Sequence, residues 1–477
     1  MEEEKLVQTE EITEDAPEIE EKHEEKPKKK KFSFKKLFVG IVVSVVVLFF
    51  AMTAFGLYLA TQPQFLYMDN PDGTLTLYTQ NAEKFEGEII IPDNVRGSLV
   101  TAIDKGAFKG NTSITGVTIP SSVKTIGDSA FLDCTALTTV TIPASVNEIG
   151  AGAFSGCKSL SNVTFLGSVD KLGYSAFSYC TSLKNFTLPG GLQTVEDNMF
   201  EGCIRLESVV IPDGIMMIGS GVFIDCTSLS EITLPDSVTF IGSSAFKGCT
   251  GLTEITIGSG VKEIGDDVFI DCSSIAKAYY NGSVADFVQI KFGNAGSPTV
   301  YGGDLYMNGE KLTEINETDL GDAEVIGANT FAGCGSLERV SIGGKVKTIE
   351  QLAFGGCPSI ITVKIGHSVE TIEKNNFGYN SNLTSITLGN GLKKINGYVF
   401  NDCDNLKSVT IPASVTYIGY GAFDGCDNLE YVYLTDANGW TFRGDSKLTM
   451  NSAELAERLR NSSRWSYFYL EKKTGSN

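Results

Sequence analysis

Val123 to Ser145 reads VKTIGDSAFLDCTALTTVTIPAS, and its pattern of residue types recurs along most of the 477-residue chain. Phe131 keeps the count. Phe108, Phe131, Phe154, Phe177, Phe200, Phe223, Phe246 and Phe269 fall every 23 residues, and the series resumes at Phe331, Phe354, Phe377, Phe400 and Phe423. Thirteen units at one fixed period predict a repeat solenoid, in which each rung buries its apolar face only against its neighbours. A solenoid grows in one direction without splitting its core, so the length predicts one elongated body rather than several globular domains.

Within a rung, Leu137, Val140 and Ile142 alternate with polar residues as a half-buried strand does, and Pro143 ends the run. Val146, Ile149 and Gly150 then make a second, short extended piece. The Ala-Phe-x-x-Cys segment is expected to return the chain through a helical turn. Stacked rungs would carry one main parallel strand each, with Leu, Val, Ile and Phe inward.

The eleven cysteines occupy a single slot. Cys134, Cys157, Cys180, Cys203, Cys226, Cys249, Cys272, Cys334, Cys357, Cys403 and Cys426 each lie three residues after a repeat phenylalanine, and Asn111 and Asn380 fill the slot in the other two rungs. A position shared by cysteine and asparagine suits a small buried group that bonds or fills beneath a turn. Side chains in one slot run parallel along the stack rather than converging, so free thiols are expected instead of disulfides. No short Cys-x-x-Cys or Cys/His pair offers a metal site.

The net charge of −20 argues against nucleic acid, whose phosphates reward lysine and arginine. Met1 to Lys36 carries 12 acids and 9 bases, which leaves −17 for the remainder.

Read from its start, the chain opens with an acidic tail predicted to be disordered, followed by Lys28 to Lys31, Lys35 and Lys36. Leu37 to Ala60 is 24 uncharged residues long, about 36 Å as a helix, enough to cross a bilayer. This apolar run is longer than that of a cleavable signal peptide, so an uncleaved anchor is expected, with the lysines in the cytoplasm and the repeats outside the cell. The expected organisation is a cytoplasmic tail at 1–36, a signal-anchor transmembrane helix at 37–60 and an N-terminal cap at 61–101. A first repeat block at 102–272, an insertion at 273–312, a second block at 313–434 and a C-terminal cap at 435–477 follow. QFLYMDNPDGTLTLYT predicts a hairpin in the first cap, SAELAERLR a short helix in the last, and Trp440, Trp465, Tyr467 and Tyr469 a seal on the final rung. In the insertion, Ser283 to Ile290 reads as a short helix and DLYMNGEKL as a hairpin. Two readings of it stay open: a joint between the blocks, or a lateral binding feature using Tyr279, Tyr280, Phe287, Phe292 or Tyr301.

The frame I-P-x-S-V-x-x-I-G-x-x-A-F-x-x-C-x-x-L resembles the BspA-like leucine-rich repeats, also called the Treponema pallidum type, over roughly residues 89 to 434. Pro120, Pro143, Pro189, Pro212, Pro235 and Pro412, the Ala-Phe pairs, the cysteine slot and the Y-Y-N-G and L-Y-x-N-G elements carry the likeness. Met199, Val222, Val268, Thr330, Asn376 and Val399 replace the alanine, and Gly258, Gly343, Gly366 and Gly389 the proline. The resemblance implies a curved leucine-rich-repeat solenoid and a surface protein used for adhesion or other contacts.

Catalytic chemistry is poorly supported. Of two histidines, His23 lies in the tail and His367 stands alone, so neither a Ser-His-Asp triad nor a Cys-His nucleophile is expected, and no cofactor. The outward strand positions are the better candidates for recognition. One row runs through Thr141, Thr164, Thr187, Thr233, Thr256 and Lys364, and the row two residues earlier through Thr139, Asn162, Asn185, Glu231, Glu254 and Arg339. Threonine also suits any exposed strand by its β-branch, so sheet propensity accounts for much of the first row. The leading expectation is a single-pass surface protein that binds an extracellular protein or glycan through this face and is not an enzyme. A structural spacer or envelope scaffold is the alternative, and a carbohydrate-active enzyme a distant third.

Overall fold

The computed structural model describes residues 45–53, 62–442, 446–447, 451–461 and 469–472, and the chain divides into two compact units, Met1–Gln62 and Pro63–Asn477. In the first, residues 45–53 form a helix in which every residue is exposed. The tail at 1–36 and most of the expected span at 37–60 lie outside the described residues. Among those described, no helix is long and apolar enough to cross a membrane.

The second unit is a stack of rungs in which two parallel ladders form, not one. Thr139–Ile142 pairs with Ile114–Thr118 one rung back and with Asn162–Phe165 one rung on, so Val140 faces Val117 and Val163. The two-residue strand Glu148–Ile149 pairs in the same sense with Thr125–Ile126 and Lys171–Leu172. The strand period of two turns Val140 and Ile142 into the core and leaves Thr139 and Thr141 outside.

The expected helical turn does not form. In all thirteen rungs the residues two before and two after the phenylalanine have positive φ, as at Ser129 (54°) and Asp133 (59°). A helix would keep its N–H groups within the rung; the left-handed residues instead turn them toward the next one. Ser129 N donates to Ala151 O at 2.8 Å, Phe131 N to Ala153 O at 2.7 Å and Asp133 N to Ser155 O at 2.8 Å. The turns thereby make a third set of inter-rung hydrogen bonds. Glycine serves these positions twice over, because Gly156, at φ 71°, also lies against Asp133, and a Cβ added there would overlap the Asp133 carboxylate.

The cysteine slot completes each turn. Phe131 O accepts from Cys134 N of its own rung at 3.1 Å and from Cys157 Sγ of the next at 3.2 Å, so both of its lone pairs are used. Ten cysteines donate in this way to the preceding rung's phenylalanine carbonyl. Asn380 does the same through Nδ2 to Phe354 O at 3.1 Å, which explains how an amide and a thiol share a slot. Cys334 follows the insertion and interacts with Ser336 Oγ at 3.4 Å instead. All eleven thiols are free and buried. Burial pushes Cys134 and Cys203 up to about 12.

The phenylalanine rings stack along the axis, 5.2 Å apart between Phe131 and Phe154 and 5.4 Å between Phe154 and Phe177, with planes within 2° of parallel in both pairs. Phe186 contacts both Phe177 and Phe200, and there the spacing opens to 6.3 Å.

The insertion keeps this core continuous. Phe287 lies 5.6 Å from Phe331, and Tyr280 and Phe292 pack on Phe287 at 5.1 and 5.2 Å. Val284–Phe287 is a single helical turn with a Ser283–Asp286 capping box, and Asp304–Met307 forms a hairpin with Glu310–Lys311. Asp304–Met307 also pairs in parallel with Lys277–Tyr280, and Lys291–Phe292 with Glu263–Ile264, so the insertion supplies strands to both ladders. The lateral-feature reading is therefore corrected for Tyr280, Phe287 and Phe292, which are buried because they fill the core between the blocks.

At the start of the body, Gln64–Asp69 and Leu75–Gln80 form the hairpin, whose second strand pairs with Ser98–Ile103. At its end, Ser452–Arg460 packs on Tyr431–Leu434 through a face that buries Leu455, Ala456 and Leu459. Trp440 is buried and donates Nε1–H to Asp436 O at 3.0 Å, and the Tyr469 ring lies 5.8 Å from Tyr417. Trp465 and Tyr467 lie outside the described residues.

Candidate binding face

The outward side chains of the long strands are set in rows by the parallel register. Thr139 faces Asn162 and Thr141 faces Thr164; Glu231 faces Glu254, which faces Lys277; Thr233 faces Thr256, which faces Tyr279. Asn185 and Thr187 face Ser208 and Val210. Arg339 stands between Glu314 and Thr362, and Lys364 between Ser341 and Thr387. Glu254 and Thr256 are half-buried, and the other ten candidates are exposed.

These residues share one side of the strands but not one unbroken sheet. The hydrogen-bonded ladder is interrupted between Phe165 and Asn185, between Val210 and Glu231, at the 310–311 hairpin, and between Thr387 and Ser408. Thr139, Thr141, Asn162 and Thr164 thus fall in one segment, Asn185 and Thr187 in a second, Glu231, Thr233, Glu254 and Thr256 in a third, and Arg339 and Lys364 in a fourth.

The charges on this face are mostly tied along the stack. Lys277 Nζ meets Glu254 Oε1 at 2.6 Å, Lys311 meets Asp304 at 2.7 Å, and Lys364 meets Glu317 at 3.1 Å. Arg339 meets Glu314 at 3.1 Å and Glu338 at 3.3 Å. Hydrogen bonds that the ammonium groups donate to the carboxylates of Glu254 and Asp304 raise Lys277 and Lys311 above the ordinary lysine range, so both stay cationic. Such exposed pairs contribute little to stability, about 0–1 kcal/mol each, but they fix where the charges stand. Asn162 Nδ2 donates to Thr164 Oγ1 at 3.1 Å and Ser208 Oγ to Asn185 Oδ1 at 2.8 Å, so the amide rows are ordered too.

Sequence reasoning missed Asp304, Tyr306 and Lys311 on this face, because the insertion removes them from the 23-residue count. A signal was present: Tyr279-Tyr280-Asn281-Gly282 and Tyr306-Met307-Asn308-Gly309 share the form Tyr-x-Asn-Gly, and the structure sets the two tyrosines side by side with ring centroids 4.8 Å apart.

His367 lines an open depression of about 520 Å³ with Glu324, Lys345, Lys347, Glu370 and Lys393, and no cysteine or second histidine lines it. Its Nδ1 accepts from Asn390 N at 3.2 Å. Among the described residues, no three His, Cys, Asp or Glu side chains gather as metal ligands do.

Residues 101–230, 216–297 and 302–442 match the family model described as a BspA type leucine rich repeat region of six copies. The chain belongs to the BspA-type leucine-rich-repeat family. No catalytic family is indicated, and no curated protein matches the chain. Among solved structures, a leucine-rich repeat protein from Bacteroides ovatus is 25% identical, with 77% of this chain and 92% of that one covered at a TM-score of 0.51. A leucine rich cell surface protein from Faecalibacterium prausnitzii is 27% identical, with 77% and 86% covered at a TM-score of 0.39. The T. pallidum leucine rich repeat protein is 26% identical, with 47% and 86% covered at a TM-score of 0.27. The BspA-type assignment accords with the repeat geometry, since the motif residues of the family frame are those that build the strands and the turn.

Proposed function

We propose that this BspA-type protein is a single-pass, membrane-anchored surface protein whose repeats face outward and bind a protein or glycan through the long-strand side. The observation that carries the binding role is the long-strand side itself: its inward residues are nearly uniform, while its outward rows vary from threonine and asparagine to paired charges and tyrosines on a rigid frame. A solenoid offers such a side as an extended surface, and varied chemistry on a fixed scaffold is what recognition requires. The anchor rests on the 24 uncharged residues from Leu37 to Ala60 behind a lysine run. The exposed apolar side chains of Val45, Phe50 and Met52 are surface that a bilayer would cover.

Changing Glu231, Glu254, Arg339 and Lys364 together to alanine should weaken binding to immobilised matrix proteins or a glycan array by about tenfold or more, through loss of fixed charges at the contact. The fold should survive, because the ion pairs removed are exposed. Undiminished binding by the folded quadruple variant would remove the face from this role. The topology has a separate readout: protease added to intact cells should degrade the repeats and spare the N-terminal tail. Repeats protected until the cells are lysed would reverse the orientation.

A further inference from the structure

The insertion changes the character of the face. Glu254–Ile257, Lys277–Tyr280 and Asp304–Met307 lie side by side, with Glu254, Lys277 and Asp304 in one row and Thr256, Tyr279 and Tyr306 in the next. The hairpin then brings Lys311 opposite Tyr306. The Tyr279 and Tyr306 rings, 4.8 Å apart and inclined by 32°, are half-buried on the outward side, where the preceding rungs carry Thr256 and Thr233.

We propose that Glu254, Lys277, Tyr279, Asp304, Tyr306 and Lys311 form a subsite for a neutral saccharide. This inference rests on the reading that the long-strand side binds a ligand, and it names the ligand's class at one place on that side. Three features carry it. The two lysines and two carboxylates are paired with each other at 2.6 and 2.7 Å, so the patch has no net charge to offer a charged ligand. A sugar hydroxyl is both donor and acceptor, and beside such a pair it can donate to the carboxylate while accepting from the ammonium. The tyrosine pair supplies an apolar wall beside these polar groups, and the C–H faces of a pyranose need that combination. Because pairing and stacking already hold the six side chains, little side-chain entropy is lost on binding.

A protein partner fits this patch less well. Stable protein interfaces bury about 800 Å² per partner around large apolar anchors. The four strands that carry the six residues span only about 14 Å along the stack at the usual spacing, and neither tyrosine is exposed enough to insert into a partner's pocket. That length suits two or three sugar units.

The test uses the full-length chain in detergent on an array of neutral oligosaccharides, with titration calorimetry on those that bind. At least one neutral oligosaccharide should bind, with little dependence on salt because it carries no charge. Tyr279→Ala with Tyr306→Ala should lower its affinity by about tenfold or more. Lys277→Met, which keeps the side-chain length and leaves Glu254 exposed to water, should do so independently, while Tyr306→Phe should retain most of the binding. Failure of every neutral oligosaccharide to bind, binding unaffected in both Lys277→Met and the folded tyrosine double variant, or selection of acidic glycans alone would overturn the proposal. A protein ligand that is lost in the Glu231/Glu254/Arg339/Lys364 variant but kept by the tyrosine variant would preserve the binding role of the face and defeat this subsite.

Discussion

Raising the pH above 9 under reducing conditions should unfold the repeat body over a narrow interval, as a cooperative loss of far-ultraviolet circular dichroism. The cause is the cysteine slot. Burial, with hydrogen bonding between Cys403 and Cys426 leading in one case, raises the thiols of Cys134, Cys157, Cys180, Cys203, Cys226, Cys249, Cys334, Cys357 and Cys403 above their ordinary value of 9.0. A thiol raised in the folded state holds its proton where the unfolded chain has released one. Its contribution to stability is therefore complete below about pH 9 and is lost as pH rises toward the folded value, about 12 for Cys134 and Cys203. Each such thiol loses about 1.4 kcal/mol per pH unit in that window. Thiols that ionise together add their losses, so several of them reach the whole stability of an ordinary domain within a few pH units. Replacing Cys180 and Cys226 by alanine should flatten the dependence by about two protons, or about 3 kcal/mol per unit, while a tyrosine-driven transition would leave it unchanged. A body still folded at pH 11, or one that unfolds with a dependence on only one or two protons, would contradict a buried thiol ladder.

That prediction rests on a feature readable in the sequence, since eleven cysteines at one offset from a repeating phenylalanine leave little else for them to be. The partner of the thiol was not readable. Nothing in the order of residues says that Phe131 O has a second lone pair facing the next rung, because that depends on how far one rung is displaced from another. The turn failed for a related reason. Ala-Phe-x-x-Cys has helical composition, and the left-handed positions beside it are glycine in some rungs but Leu352, Tyr179 or Tyr398 in others, residues that do not announce a positive φ. Their conformation is imposed by the stack, which needs those N–H groups turned along the axis. The face was legible as rows but not as charges. Glu254 and Lys277 are 23 residues apart and meet through strand register, while Glu317 reaches Lys364, 47 residues on, from the helical turn Glu317–Leu320 beside the strands. The rung hidden in the insertion escaped because a count based on phenylalanine spacing cannot see strands whose phenylalanine, Phe287, has moved onto a helical turn.

Phe154→Ala should cost about 3–5 kcal/mol, the range for removing a fully buried aromatic ring from a packed core. The ring lies between Phe131 and Phe177, at 5.2 and 5.4 Å, and so packs at both interfaces that flank its rung. In a solenoid stability is a sum of rung and nearest-neighbour terms, so the loss falls on the two interfaces that flank this rung rather than being spread over the body. Equilibrium unfolding in urea should show it as a lower midpoint. If the weakened interfaces divide the stack, the single transition should also separate into two, with hydrogen exchange faster first in the rungs near Phe154. Thr141→Ala, an exposed change on the neighbouring rung, should stay within about 0.5 kcal/mol of the parent. The contrast tests the assignment of roles in the repeat: the phenylalanine and the thiol hold the stack, and the outward residues are free to vary. A Phe154→Ala variant as stable as Thr141→Ala would mean that the rings fill space without joining rungs, and the core would then have to be rebuilt around the two strand ladders and the turn hydrogen bonds alone.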